Sequence, residues 1–209
     1  MDRKKVFIIG GGPSLKCFDF KLLKNQNTIA VNFAAEKMFE RGFIPTYFLT
    51  ADSGVIITSV MKDFWGLKDK CTTVVVMGEE HPNFKRAKSF LDDFDVRIKP
   101  YRTDTGNMGF TFDEFVTGKN TGFCALQYAV VLGFENIYLL GFDLDKDKEG
   151  DKYWYAKGGR VSPYNIFLEH FITGIRKVHK YSKIKIYLSS KPSKLEPYLQ
   201  YCPIQEAIK

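Results

Sequence analysis

The sequence predicts an α/β fold, a mainly parallel sheet with helices on both faces. Three observations carry this expectation. Short apolar runs recur along the chain and alternate with segments of helical periodicity. The runs are rich in β-branched and aromatic residues, as in Thr72-Thr73-Val74-Val75-Val76-Met77. Most of them end in Gly, Asn, Asp or Ser, residues that close a strand and turn the chain.

The 209 residues suit one domain, residues 1–209, with loop or lid segments near 100–119 and 145–160. The net charge of +7 favours anionic partners. The basic residues are dispersed, densest at Asp2-Arg3-Lys4-Lys5 and from Arg176 to Lys185. No helix-turn-helix, zinc-finger or RNP pattern occurs, so no specific nucleic-acid site is read. Peripheral membrane contact has no support in the pattern, and self-association as a homo-oligomer stays open. Cys17, Cys71, Cys124 and Cys202 lie far apart, without a CxxC pair or a Cys/His cluster. That argues against structural zinc, so no metal ligands are assigned, and it fits a reducing compartment. A strand begins almost at the N-terminus and no run reaches about 18 apolar residues. The expected location is therefore cytoplasmic, with no signal peptide and no membrane span.

Val6 to Ile9 reads as a buried parallel strand. It runs into Gly10-Gly11-Gly12-Pro13-Ser14-Leu15. Glycine lets a backbone approach a ligand with no Cβ in the way. Pro13 suits the first turn of a helix, and Ser14 offers a hydroxyl and an N–H to an anion. Strand, glycine turn and helix start make the usual frame of a phosphate-holding loop. The P-loop is excluded, because no Lys-Ser or Lys-Thr follows. The dinucleotide fingerprint is excluded, because Leu15 stands in place of its last glycine. A tight turn that binds nothing is the plainer alternative.

A short helix is expected around Phe20 to Leu23, then a strand from Thr28 to Val31 ending at Asn32, then a helix from Phe33 to Arg41 closed by Gly42. Pro45 to Leu49 forms the next strand and leads into Thr50-Ala51-Asp52-Ser53-Gly54. Val55 to Phe64 reads as helix, Thr72 to Met77 as strand, Phe84 to Phe90 as helix, and Asp95 to Lys99 as an edge strand. Pro100 to Lys119 is weakly periodic and reads as a long loop. Asn120-Thr121-Gly122 opens a helix from Phe123 to Leu132, apolar nearly all round and therefore buried. Asn136 to Leu140 is a central strand ending in Gly141-Phe142-Asp143. Residues 145–160, with Tyr153-Trp154-Tyr155, form a loop or lid. Pro163 to Tyr181 is a long helix with Ser162 as its cap. Ile184 to Leu188 is a last strand ending at Ser189-Ser190, and Pro192 to Lys209 packs outside.

Ligands of open α/β sheets sit beyond the carboxyl ends of the strands. Gly10 to Ser14, Asn32, Thr50, Asp52, Asn120 to Gly122, Gly141, Asp143, Ser189 and Ser190 all fall on that rim. Each also has a local reading. Asn32, Asn120 or Thr121 can cap the helix that follows, and Asp52 can make an Asx-turn. Asp143 can bond a neighbouring backbone, and the tyrosines can pin their loop. Together on one rim they read as a ligand site. Glycines and helix starts suit phosphates, while Asn and Ser suit ribose or a base edge. Asn32 stands where a dinucleotide site needs an acid, so a mononucleotide or nucleotide-sugar fits better. The three histidines, His81, His170 and His179, read as ordinary surface or core residues.

Four segments in order carry a family resemblance: Gly10-Gly11-Gly12-Pro13-Ser14-Leu15, Ala30-Val31-Asn32, Asn120-Thr121-Gly122, and Leu132-Gly133-Phe134-Glu135-Asn136-Ile137-Tyr138-Leu139-Leu140-Gly141-Phe142-Asp143. Over residues 6–145 this set resembles the bacterial sialyltransferases of glycosyltransferase family 42. It also resembles the related DUF115 proteins, which include flagellin nonulosonic-acid transferases and archaeal 6-hydroxymethyl-dihydropterin pyrophosphokinases. The resemblance implies a Rossmann-like domain, a variant of the GT-A type.

It also implies roles. The sialyltransferase loop reads Gly-Asn-Gly-Pro-Ser and touches the nucleotide; here Gly11 stands in the Asn place. Asn32 matches an Asn that binds the cytidine nucleotide. Thr50 to Asp52 falls where a further nucleotide-contacting Asn lies, with a different residue. Thr121-Gly122 matches a Ser-Gly that also contacts the nucleotide, and Asp143 matches the Asp after the penultimate core strand. Tyr153 and Tyr155 lie in the loop whose tyrosines assist the leaving phosphate. The family's catalytic His is not matched: Trp154 or Tyr155 holds the comparable loop position, and His170 is the histidine nearby.

The implied reaction is transfer of a sugar from a nucleotide donor, such as CMP-sialic acid or another CMP-nonulosonate, to a glycan or other hydroxyl acceptor, with no obligatory cofactor. Asp52 or His170 would serve as base. The alternatives are a pyrophosphokinase using ATP and Mg²⁺ and a non-catalytic nucleotide-binding module.

Overall fold

The computed structural model describes residues 4–102, 105–156 and 164–209. Its centre is one sheet of eight strands: β1 (Lys5–Ile9), β2 (Thr28–Val31), β3 (Tyr47–Thr50), β4 (Thr72–Val76), β5 (Val96–Ile98), β6 (Asn136–Leu140), β7 (Lys185–Leu188) and β8 (Gln200–Tyr201). The spatial order is β5-β4-β3-β2-β1-β6-β7-β8, and every pairing is parallel. Helices α1 (Phe33–Glu40), α2 (Ser53–Met61), α3 (Phe84–Ala87), α4 (Thr121–Val131), α5 (Tyr164–Tyr181) and α6 (Ile204–Ala207) cover it.

Strand side chains point alternately to the two faces, and the strands are apolar on both. Val6 and Ile8 of β1 pack into one core with Phe123 to Val130 of α4 and Phe171, Ile175 and Val178 of α5. Phe7 and Ile9 enter the opposite core with Ala34, Ala35 and Met38 of α1 and Val55 and Ile56 of α2. A sheet covered on both faces needs buried strands, and β1 to β4 and β6 are buried nearly throughout, while the outer strands expose Arg97, Lys185 and Gln200.

Several boundaries differ from expectation. Helix α2 starts at Ser53 because Asp52 caps it, and it ends at Met61; Phe64 and Trp65 follow with left-handed φ of 50° and 55°. The segment expected to be helical over Phe84 to Phe90 is the short α3 followed by a 3-10 stretch, Lys88–Asp93. The C-terminal tail does more than pack outside. It adds β8 to the sheet edge and inserts Ile204 and Ala207 of α6 into the core. The expected cap Ser162 and the following Pro163 lie outside the described residues.

The chain places β2 to β5 on one side of β1, then crosses to lay β6 on its other side. The strand order therefore reverses between β1 and β6. The loops leaving these two strands diverge there and open a crevice at their carboxyl ends.

Candidate functional site

A cavity of about 300 Å³ occupies this crevice. Gly10 to Gly12 after β1 and Gly141 and Phe142 after β6 form its floor, with Asn32, Asp52, Asn120, Thr121, Gly122, Tyr153 and Tyr155 around it. The glycines are dictated first by packing. The Gly10 N–H donates to Leu140 O, the Gly12 N–H donates to Gly141 O, and a Cβ on Gly12 would lie 2.6 Å from that carbonyl. A Cβ on Gly11 would meet Tyr153 Cδ1 at 2.9 Å and Tyr155 Oη at 3.2 Å. Two close-packed loops and a tyrosine pair thus exclude side chains here.

Asn32 holds the N-cap position of α1, but its side chain makes no capping bond, and its backbone is strained at φ 52°, ψ −138°. Its Oδ1 accepts from the Thr50 hydroxyl at 2.9 Å, while Thr50 Oγ1 itself accepts from the Asp52 N–H at 3.2 Å. With its single proton given to Asn32, Thr50 fixes the amide orientation and leaves the Nδ2 donors for the cavity. Thr50 is fully buried and does not line the cavity; its role is to orient Asn32. Asp52 and Asn120 do cap helices. Asp52 Oδ1 accepts from Gly54 N and Val55 N, and Asn120 Oδ1 accepts from Phe123 N at 3.1 Å. Both also line the cavity, so their local and ligand-facing readings coexist.

Pro13, Ser14 and Asp143 lie elsewhere. They line a separate hollow with Asp145, Lys146, Asp147 and Pro192 to Lys194. Ser14 gives its N–H (2.7 Å) and hydroxyl (2.6 Å) to the Asp143 carboxylate, so the anion it meets is internal. Burial raises the Asp143 pKa to about 6, against the pull of the two Ser14 bonds. His170 is also outside the cavity. Its Nδ1 lies 2.7 Å from Gly118 O and must donate to that carbonyl. Ser190, on the rim as expected, accepts the Gly141 N–H at 2.7 Å.

The segment 145–156 closes one wall. Lys16 places its ammonium among Asp147, Glu149 and Asp151, at 2.5, 2.7 and 2.9 Å. These three carboxylates could otherwise gather a cation; the Lys16 charge occupies their centre. Trp154 gives its backbone N–H to Gly11 O and its Nε1 proton to Gly10 O, and Arg41 lies 4.5 Å above its ring. The flanking Tyr153 and Tyr155 stack at 5.3 Å over Gly11. Burial, then the neighbouring Tyr153, pushes the Tyr155 hydroxyl far above its ordinary pKa, so it remains a proton donor.

A second cavity of about 420 Å³ shares Asp52, Lys119, Asn120 and Thr121 with the first. His81 and Asn83 also line it. Lys152 also escaped the sequence reading. It is 2% exposed and lines the first cavity. In a loop with Lys146 and Lys148 a lysine reads as solvated, and nothing but the fold distinguishes this one.

A parallel sheet with a polar, glycine-floored cavity at its switch point defines a Rossmann-like α/β protein. The model of the family described as 6-hydroxymethylpterin diphosphokinase MptE-like matches residues 1–149, and the chain belongs to that family. Solved structures share the fold. The sialyltransferase CstII from Campylobacter jejuni, solved with cytidine-5'-monophosphate, is 19% identical, covers 97% of this chain and 86% of its own, and has a TM-score of 0.60. The monofunctional alpha-2,3-sialyltransferase Cst-I from the same organism is 14% identical over 97% and 82%, at 0.61. The MAf glycosyltransferase from Magnetospirillum magneticum AMB-1 is 16% identical over 97% of this chain and 34% of its own, at 0.65. Among curated proteins no sequence matches.

Proposed function

We propose that the chain is a glycosyltransferase-like enzyme that binds a nucleotide-activated sugar in the first cavity and transfers the sugar to an acceptor hydroxyl entering from the second. The observation that carries this reading is the shared wall: two cavities meet at Asp52, Lys119, Asn120 and Thr121, as a two-substrate reaction requires. The fold neighbours that bind CMP support a CMP-sugar, such as a nonulosonate, as donor. Asn32, held by Thr50, offers its amide donors to the nucleoside.

We assign Asp52 as the base. Its Oδ1 takes both capping bonds, which leaves Oδ2 to accept the acceptor's proton as the new glycosidic bond forms. The bond from sugar to nucleotide phosphate breaks in the same step, its electron pair leaving on the phosphate oxygen, where Tyr153 and Tyr155 donate hydrogen bonds. His170 is the weaker candidate, since it lines neither cavity.

A second reading has its own support. The family is described by a diphosphokinase, which favours ATP with Mg²⁺ and pyrophosphoryl transfer. A non-catalytic nucleotide-binding module is the third. Thermal shifts with CMP, ATP and ATP plus Mg²⁺ separate them, because a ligand at a hundred times its Kd stabilises by about 2.7 kcal/mol. The glycosyltransferase reading expects stabilisation by CMP without metal, and loss of transfer but retained CMP binding in Asp52→Asn. Stabilisation by ATP alone, and only with Mg²⁺, overturns it.

A further inference from the structure

Lys152 is the buried charge that the fold leaves without an explanation. It is 2% exposed, and its Nζ has no hydrogen-bond partner among the described residues. A buried ammonium with no acceptor is costly, and proteins seldom retain one without a use. The ring centre of Tyr164 lies 5.8 Å from its Nζ. Neither carboxylate that lines the same cavity bonds the Lys152 ammonium. Asp52 caps α2, and Asp145 lies 3.3 Å from Lys194 and accepts the Lys146 N–H. Lys119, the cavity's other lysine, is exposed.

The backbone around Lys152 is fixed. The adjacent Asp151 is tied to Lys16, and two residues on, Trp154 is bonded to Gly10 and Gly11. The segment that carries the lysine is therefore held against the glycine loop. Other donors line the same cavity. Among the described residues the N–H groups of Gly11, Thr121 and Gly122 have no hydrogen-bond acceptor. The last two form the first turn of α4, an eleven-residue helix whose N-terminal end favours anions. An unpaired cation and several open amides match a group that carries negative charge and several acceptor oxygens, which is the chemistry of a phosphoryl group.

We propose that Lys152 is the phosphate-binding cation of this site, its ammonium receiving the phosphoryl oxygens of the bound nucleotide; this rests on the nucleotide reading above. Burial, and then the charge of Lys146, hold its ammonium below the ordinary lysine range. A bound phosphate reverses that balance, so binding and protonation of Lys152 are coupled. Tyr155, a permanent donor over the same loop, is placed to share the load.

The test is titration of the whole chain, as wild type, Lys152→Met and Lys152→Arg, with inorganic pyrophosphate, CMP, ATP and cytidine. Lys152→Met should weaken pyrophosphate and CMP at least about tenfold and leave cytidine unchanged, while Lys152→Arg keeps part of the affinity. Equal binding of pyrophosphate and CMP by Lys152→Met and wild type overturns the assignment, even if CMP binds well and the nucleotide reading stands. Pyrophosphate binding that depends on Lys152, with no response to CMP, ATP or cytidine, keeps the phosphate site and overturns the nucleotide reading. No binding of any probe by the wild type overturns both. The melting temperature of unliganded Lys152→Met should equal or exceed that of wild type, since the variant removes a buried unpaired charge; a clear fall would show a structural partner and also overturn the assignment.

Discussion

Asp143 keeps a carboxyl 3% exposed, with the Ser14 N–H and hydroxyl as its donors, and its pKa stands at about 6. In the unfolded chain an aspartate titrates near about 4. Between these values the folded state binds more protons than the unfolded state. Stability from this group is therefore greatest below about pH 4 and falls as pH rises toward 6. A shift of roughly two units corresponds to about 3 kcal/mol. Urea unfolding of wild type and Asp143→Asn at pH 4 and pH 7 should show the wild type losing about 2–3 kcal/mol relative to the variant on going to pH 7. A difference that does not change with pH would refute the shift. Residue identities alone could not separate Asp143 and Ser14 from the ligand-facing set, because both stand on the rim at the right spacing. Their mutual bond turns them toward a neighbouring hollow. Thr50 is a parallel case: it stands at the right strand end, but its hydroxyl serves Asn32 rather than the cavity.

At the scale of elements, the segment 145–156 is read from sequence as a loop or lid, and the fold shows why it stays down. Lys16 bonds three of its carboxylates, and Trp154 bonds two carbonyls of the glycine turn. Those carboxylate oxygens lie within 4.8 Å of one another, so without Lys16 they repel. Lys16→Ala should leave the core intact but speed hydrogen exchange at the Glu149 and Asp151 amides, which now donate to Asp147 Oδ1. Under the proposed function it should also weaken nucleotide binding, since Lys152, Tyr153 and Tyr155 ride on the same segment. Unchanged exchange would mean that Trp154 alone holds the segment. The charged composition of this stretch suggested solvent exposure; the convergence of Asp147, Glu149 and Asp151 on a lysine more than 130 positions away has no local signal.

For the molecule as a whole, the eighth strand and α6 bring the C-terminus into the structure. Ile204 and Ala207 are buried in the core with Phe7 and Tyr138, and the Ala207 carbonyl accepts from Lys5 Nζ at 3.1 Å. Ile204→Ala should cost about 2–4 kcal/mol and lower the melting temperature by several degrees, with nucleotide affinity unchanged because the residue is remote from the cavity. Little loss of stability would return the tail to the peripheral packing that its proline-punctuated sequence suggests. Among the described residues no helix is long and apolar enough to cross a membrane.

The sequence by itself determined the layered α/β architecture, because strands buried on both faces must be apolar throughout and their ends must turn. It also determined which rim holds the cavity-lining residues, because every strand of a parallel sheet ends on the same side. Gly10 to Gly12, Asn32 and Asn120 to Gly122 could be named on that ground, while Tyr153 and Tyr155 come from the lid and the family resemblance. The tertiary structure alone decided which rim residues face the cavity and which face each other. It decided that Thr50 orients Asn32, that Ser14 meets Asp143, and that Lys152 is buried while Lys146 and Lys148 of the same loop are exposed. These outcomes depend on contacts between segments far apart in the chain, and composition and local periodicity carry no record of such contacts.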